Sequence, residues 1–390
     1  MQKLAVIFES SPFDRKGLFN AAHERIRHLV GTGECEVDAF CIHSWDTPFT
    51  RKVRHTPEVP RKDNITIDGI LYNILWYDFS IIDHVTTEVF HAKPVLFNRF
   101  MDSCMPLFKE YDAVLAHSFT GGLFALEISE RFDIPYFVTW HGSDIHTHPW
   151  KNPLIMKYTR KVMAGARYNF FVSKALMAAS EKICTGVPKE ILYNGVSSDF
   201  IRLDDKSRLA ERKRCNLSPE KKVVAFVGSL VGVKNVDMLQ PIFHEVRMNY
   251  DGPLEFWVIG DGKARNLAEP ALTGDDSIDV VMWGNLPSEQ MPAMMNCIDV
   301  LVLPSRNEGL PLVCAEAIRC GAYAVGADVG GVAEVVGKDN VYPHGEGFVT
   351  SIASKIVSVL KNGGEQAVPA HIDWTVTAEK EISYIRALLP

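Results

Sequence analysis

No stretch of this chain approaches the roughly 18 consecutive apolar residues that a membrane-spanning helix needs. The apolar run at residues 4–8 is too short for the hydrophobic segment of a secretion signal. Contact with a membrane, if the protein makes any, is therefore expected at its surface, and a cytoplasmic setting, reaching to the inner face of a membrane, is the expectation. Positive charge is not in surplus. Lys and Arg number 41 against 48 Asp and Glu, for a formal net charge of -7, which argues against a basic nucleic-acid-binding chain. The eight cysteines are scattered and form no Cys-x-x-Cys, so neither a zinc ribbon nor a disulfide framework is expected, and reduced thiols are. Internal repeats and low-complexity segments are absent too, as is any Asp-x-Asp metal motif.

What is present is an ordinary globular composition. Hydrophobic residues make up 47% and charged residues 23% of 390 positions, enough for two large cores and two or three domains. Short apolar runs alternate with longer amphipathic stretches. Residues 4–8, 37–42, 113–116, 136–140 and 170–172 read as buried strands, with a helix continuing through 23–30. The pattern restarts at 222–227 and continues at 254–259, 280–283, 300–303 and 323–326, with helices at 236–250 and 313–320. Continuous apolar strands between helices are what a parallel sheet covered on both faces requires. Two doubly wound units are expected. Their break falls in the polar stretch 197–218, after Tyr193-Asn194-Gly195-Val196, giving domains 1–198 and 199–370. The tail, 371–390, reads as a helix with Trp374, Ile382, Tyr384, Ile385 and Leu388 as apolar anchors, and its position suggests that it crosses back to the first domain. Between residues 45 and 100 lies material beyond a minimal fold: the basic run Arg51-Lys52-Val53-Arg54-His55, then Arg61-Lys62, and an apolar and aromatic set from Leu71 to Phe79. The basic run reads as a solvated loop or as a face for anionic lipid head groups.

The segment richest in chemistry runs from Asp299 to Val336. A strand ends at Pro304-Ser305, the loop Arg306-Asn307-Glu308-Gly309-Leu310-Pro311 follows, and a helix then carries Glu316. Free amides and the positive helix end at Gly309 and Leu310 suit a diphosphate. The loop also lies at the carboxyl end of a parallel strand, where open α/β sheets bind ligands. Taken alone, Glu308 and Glu316 are equally well read as acids that suit a helix start. His141, Asp144, His146 and His148 cluster, but not at a common metal-ligand spacing. Gly260-Asp261-Gly262 lacks the third glycine of a dinucleotide fingerprint and reads as a tight turn.

The run Pro304-Ser305-Arg306-Asn307-Glu308-Gly309-Leu310-Pro311-Leu312-Val313-Cys314-Ala315-Glu316 resembles the E-x7-E motif of family 4 (group 1) retaining glycosyltransferases. The resemblance extends to Gly330-Gly331-Val332-Ala333-Glu334, to Gly228-Ser229-Leu230-Val231-Gly232-Val233-Lys234, to Gly260-Asp261-Gly262, to Tyr193-Asn194-Gly195-Val196 and, in the first half, to Thr139-Trp140-His141-Gly142-Ser143-Asp144. It spans most of the chain in the family's order. It implies the α/β GT-B fold, two Rossmann-like doubly wound domains facing a cleft, with the acceptor on the first and the nucleotide sugar on the second.

The resemblance also implies roles. Glu308, His141 and Lys234 would be catalytic: Glu308 contacts the donor sugar, His141 contacts it or stabilises charge, and Lys234 neutralises the leaving diphosphate. Gly17, Gly228, Ser229, Lys234, Gly309, Leu310 and Glu316 would bind the donor, with Glu316 on the ribose hydroxyls. Cofactor and metal are not expected. The co-substrate would be a nucleotide diphosphate sugar, UDP foremost, and the acceptor a glycan, a lipid-linked sugar or a small molecule. In this reading the acceptor attacks the face the diphosphate leaves, and a phosphate oxygen takes its proton. One position departs from the pattern: Ser229 stands where the family usually carries an arginine. A hydroxyl does not replace a guanidinium fork on phosphate, so another cation would have to serve, with Lys234, Arg306 and Lys263 as candidates. Two alternatives stay open, a nucleotide-sugar epimerase of the same architecture and a non-catalytic sugar-nucleotide binder.

Overall fold

The structure, a computed structural model, describes residues 1–13, 17–54, 58–88 and 95–388. His55 of the basic run, and the side chains of Arg54 and Leu388, lie outside the described part. The chain forms two compact units, Met1–Asn194 with Trp374–Pro390, and Gly195–Asp373. The unit boundaries fall at 194 and 373, where sequence suggested 198 and 370. The reason is packing: Val196 is already buried in the second unit's core. The polar stretch 197–218 is no mere connector, because it holds a helix, Asp205–Arg214. The buried guanidinium of Arg212 ties that helix to the second unit by donating to the Cys297 carbonyl at 2.7 Å.

The first unit is built on an eight-stranded sheet. Its strands are β1 (Gln2–Glu9), β2 (Cys35–Asp46), β3 (Asn64–Ile67), β4 (Ile70–Phe79), β5 (Ala113–His117), β6 (Tyr136–Trp140), β7 (Tyr168–Phe171) and β8 (Lys189–Ile191), in the order β3-β4-β2-β1-β5-β6-β7-β8. All pairings are parallel except the β3–β4 hairpin. That hairpin and the length of β4 were not evident from hydrophobic runs. The turn is Asp68-Gly69, with φ of 49° and 79°, the left-handed pair that a two-residue hairpin turn takes. β1 is buried from Leu4 to Phe8 and β5 and β6 along their whole length, because helices cover both faces. One is the helix Leu18–Gly31, another Ser118–Phe132. The last helix, Trp374–Leu388, packs on Leu18–Gly31 and adds Ala378, Ile382 and Ile385 to the core.

The second unit has a six-stranded sheet: β9 (Lys222–Val227), β10 (Leu254–Ile259), β11 (Val280–Gly284), β12 (Val300–Leu303), β13 (Tyr323–Ala327) and β14 (Val341–Tyr342), ordered β11-β10-β9-β12-β13-β14 and parallel throughout. In each sheet the winding reverses once, between β1 and β5 and between β9 and β12. Connections on the two sides of such a reversal leave in opposite directions, so a crevice opens at the carboxyl ends of the two strands.

Candidate functional site

The reversal in the second sheet brings together the loops after β9 and β12. Lys234 ends a short 3-10 turn, Gly232–Lys234. Its ammonium lies 2.7 Å from Glu308 Oε1, and the Ser305 hydroxyl donates to the same oxygen at 2.6 Å. Glu308 is thus a half-buried carboxylate with two donors, which holds it in one orientation. Asn235, the residue after Lys234, sits at φ 54°, a conformation that asparagine tolerates better than most side chains. From there its amide donates to the Pro304 carbonyl at 3.1 Å and its Oδ1 accepts from Arg306 at 2.8 Å. The two loops are therefore cross-braced by Asn235 behind the Lys234–Glu308 pair.

Backbone contacts fix the neighbouring loops. Gly330 has φ +52°, and a Cβ there would fall 1.8 Å from the Glu308 carbonyl oxygen. The Gly331 amide donates to the Gly309 carbonyl at 3.2 Å. A Cβ on Gly260 would likewise fall 2.1 Å from the Gly228 carbonyl oxygen. The strand-end glycines let the loops after β9, β10, β12 and β13 stack backbone on backbone. The amides of Gly309 and Leu310, just before the helix Leu312–Arg319, have no acceptor among the described residues. Amides left free at a helix start are groups that can bind an anion.

Glu316 is the fifth residue of that helix. No side-chain partner is described for it, and burial pushes its carboxyl up to about 7. An acid that holds its proton near neutrality and lacks a protein partner is a candidate ligand contact. Ser229 is exposed. Of the cations proposed to replace a guanidinium there, Arg306 is committed elsewhere, to Asn235 and to Asp237 at 3.1 Å. Lys263 is exposed with no ion pair described, and Lys234 is held by Glu308.

In the first unit, His117 closes β5 and His141 follows β6. The two rings stack at 5.3 Å, and His117 Nδ1 lies 3.0 Å from His141 Nε2. His117 is buried against His141. Burial, then the other imidazole, then Arg25 push His117 well below the usual histidine range. Burial and Arg25 bring His141 to about 3. Both rings are neutral at physiological pH. Asp144 is no metal ligand in waiting, since its carboxylate accepts from the amides of His141 at 3.1 Å and Gly142 at 2.8 Å. Burial lifts it to about 6 against those bonds. Among the described residues no group of three or more His, Cys, Asp or Glu is placed to hold a metal ion. Gly17 is exposed at φ 43° and starts the helix Leu18–Gly31; residues 14–16 beside it lie outside the described part.

Sequence reading missed Ser305 and Asn235 as supports of Glu308, and Arg25 behind the histidines. The signal for Arg25 was there: it falls in the apolar stripe Ala22, Ile26, Leu29 of its helix, where a charge is out of place.

Residues 221–362 match the family described as Glycosyl transferases group 1. A Bacillus subtilis protein named for a glycosyltransferase role in teichuronic acid biosynthesis, TuaC, is 29% identical over 228 residues, covering 58% of this chain and 56% of the relative. A D-inositol 3-phosphate glycosyltransferase of Jonesia denitrificans is 27% identical, covering 58% of each. The chain thus spans somewhat more than half the length of the curated relatives it matches. Solved structures match throughout. Sucrose-phosphate synthase from Thermosynechococcus elongatus superposes with a TM-score of 0.75 at 15% identity, over 100% of this chain and 99% of that one. The Anabaena protein HepE, in complex with UDP and glucose, gives 0.72 at 14% identity, over 98% and 100%. The fold is GT-B.

Proposed function

We propose, for a chain whose residues 221–362 match the group 1 glycosyltransferases, that it moves a sugar from a nucleoside diphosphate sugar, UDP foremost, onto a glycan, lipid-linked or small-molecule acceptor. The transfer retains anomeric configuration and uses no metal. The observation that carries this reading is the Lys234–Glu308 pair at the reversal between β9 and β12, beside the free amides of Gly309 and Leu310. Breaking the anomeric C–O bond leaves negative charge on the diphosphate, and fixed donors aimed at that charge lower the barrier. Lys234 and the two amides supply them. Glu308 meets the donor sugar and Glu316 the ribose hydroxyls, while His141 contacts the sugar or stabilises charge. Ser229 donates one hydroxyl hydrogen bond where the family has a guanidinium, and Lys263 supplies the missing charge. The acceptor hydroxyl attacks the face the diphosphate leaves and passes its proton to a phosphate oxygen, so no protein nucleophile is needed.

A thermal-shift panel of UDP, GDP and ADP sugars in the presence of a chelator tests the donor half. Stabilisation by one nucleotide class, lost in Glu316→Ala, is expected. No shift with any donor at millimolar concentration sinks the reading. NMR of the anomeric proton of the product then tests retention. Conversion of donor to an epimer without acceptor would favour an epimerase instead.

A further inference from the structure

The last helix does more to the first unit than add apolar surface. Its stripe Ala378, Glu381, Ile382, Ile385 meets the stripe Ala22, Arg25, Ile26, Leu29, and the one charge on each stripe is 1% exposed. Arg25 Nε lies 2.9 Å from Glu381 Oε2. Its Nη1 donates to the Thr139 hydroxyl at 2.7 Å. Thr139 is the register partner of His117 across β5 and β6, and stands two residues before His141. The chain of contacts therefore runs from Glu381 through Arg25 and Thr139 to the two strand ends that carry the stacked imidazoles. Burying two charges costs several kcal/mol each in desolvation, and a hydrophobic pair of similar volume is commonly as stable or more so. Docking of the helix alone gives no reason for a guanidinium here, or for its second bond to Thr139.

We propose that Arg25, held by Glu381, is a positioning residue for the His117–His141 pair: it fixes Thr139, and its guanidinium adds to burial in disfavouring a proton on either of the hydrogen-bonded rings. This rests on the reading of His141 as a donor-sugar contact. A 3.0 Å N···N contact needs one donor and one acceptor, so at most one of the two facing nitrogens carries hydrogen. One proton added to the neutral pair makes a single imidazolium beside the guanidinium, and only a further one would put two imidazolium rings in contact. The groups facing the pair are the Phe8 ring from β1, Arg25 from the helix Leu18–Gly31, Thr139 from β6, Asp144 beyond β6 with its oxygens taken by two amides, and Glu381 behind Arg25. No carboxylate free of partners stands among them to favour imidazolium. A neutral His141 can donate to a sugar hydroxyl or accept from one, and adds no charge to repel developing oxocarbenium character.

The test is a pair of variants of the full chain, Arg25→Met/Glu381→Leu and Thr139→Val, followed by histidine ring nitrogen NMR from pH 4 to 8, thermal melts and the pH profile of kcat. Spectra of His117→Gln and His141→Gln assign the signals. The native pair is expected to stay neutral down to pH 5. In the double variant the melt is expected to match or exceed the native one, while at least one ring titrates about one pH unit or more higher, as loss of a nearby like charge requires. The acidic limb of kcat moves with it and the donor KM holds. Thr139→Val, which keeps the ion pair and the volume, is expected to leave the melt in place and broaden or shift the ring signals. Unchanged ring titration in both variants would overturn the proposal and leave Arg25 and Glu381 as a staple for the last helix. The NMR arm needs no substrate, so failure of the glycosyltransferase reading would show separately, as absence of turnover in the native chain.

Discussion

Glu316 carries a pH dependence whose sign can be worked out. Its carboxyl is raised from 4.5 to about 7 by burial. The unfolded carboxyl ionises first, so this group favours the folded chain most below pH 4.5. That contribution is lost as pH rises to about 7 and is flat beyond. Ribose hydroxyls prefer the ionised carboxylate as acceptor, so donor affinity runs the other way. It should strengthen roughly tenfold between pH 6 and pH 8, as the ionised fraction rises from about one in ten to about nine in ten. Calorimetry in two buffers of different ionisation enthalpy is expected to show proton release on binding below pH 7. A flat affinity, or proton uptake, would count against Glu316 as the ribose contact. Glu316→Gln should abolish the slope.

Lys234 and Ser229 invite a paired comparison at the same scale. Lys234→Ala removes the ammonium beside the free amides and is expected to lower kcat about 10²- to 10³-fold, the loss typical of one preorganised donor to a leaving group. It also frees Glu308 from its ion partner, so Lys234→Ala/Glu308→Gln separates the two effects. Ser229→Arg places a guanidinium on an exposed position and should tighten donor binding about tenfold, the worth of a charge-assisted hydrogen bond. Equal donor affinity in native and Ser229→Arg protein, measured by calorimetry, would mean that the position does not face the diphosphate.

At the scale of elements, the site is a stack of strand-end loops. Gly330 is the position to break. Alanine there would need φ +52° and a Cβ 1.8 Å from the Glu308 carbonyl oxygen, and backbone cannot yield as a side chain can. Gly330→Ala is expected to displace the 308–310 loop, cost about 1–3 kcal/mol and weaken donor binding. Gly345→Ala provides the control, since φ is +125° but nothing lies within 4 Å. If both variants melt alike and bind donor alike, the stack is not what holds Glu308.

How far these elements could be read in advance depended on burial. The strands of the second sheet stood out because β10 and β12 are buried on both faces, so their residues form unbroken apolar runs. The Glu308 loop was legible from Pro304-Ser305 and Gly309-Leu310-Pro311, where composition and position agree. β4 was not, because its outward positions include Leu71, 52% exposed, beside inward Tyr72 and Ile74. Apolar residues on both sides hide a period of two. Asp68-Gly69 between Ile67 and Ile70 was the stronger cue, a turn signature with a mechanism. Side-chain braces such as Asn235 to Pro304 depend on a left-handed residue and on loops distant in sequence. Pattern reading does not supply that information.

For the whole molecule the two units differ in how the chain makes them. The second is contiguous, Gly195–Asp373, and its buried cluster draws only on residues from Val196 to Ile372. The first is discontinuous: its core takes Ala378, Ile382 and Ile385 from the last helix, Thr377 Oγ1 donates to the Tyr193 carbonyl, and Arg25 has its ion partner in Glu381. A fragment 195–373 is therefore expected to fold alone, melt cooperatively and keep donor binding, because both glutamates, Lys234 and the free amides travel with it. A fragment 1–194 leaves Arg25 buried and unpaired, at a cost of about 3–5 kcal/mol, and exposes the apolar stripe beside it. It should be soluble only when the peptide 374–390 is joined or supplied in trans. Circular dichroism melts of the two fragments, with and without the peptide, decide the matter. A stable 1–194 that ignores the peptide would show that the last helix is dispensable, whereas an unfolded 195–373 would show that the second core does not suffice on its own.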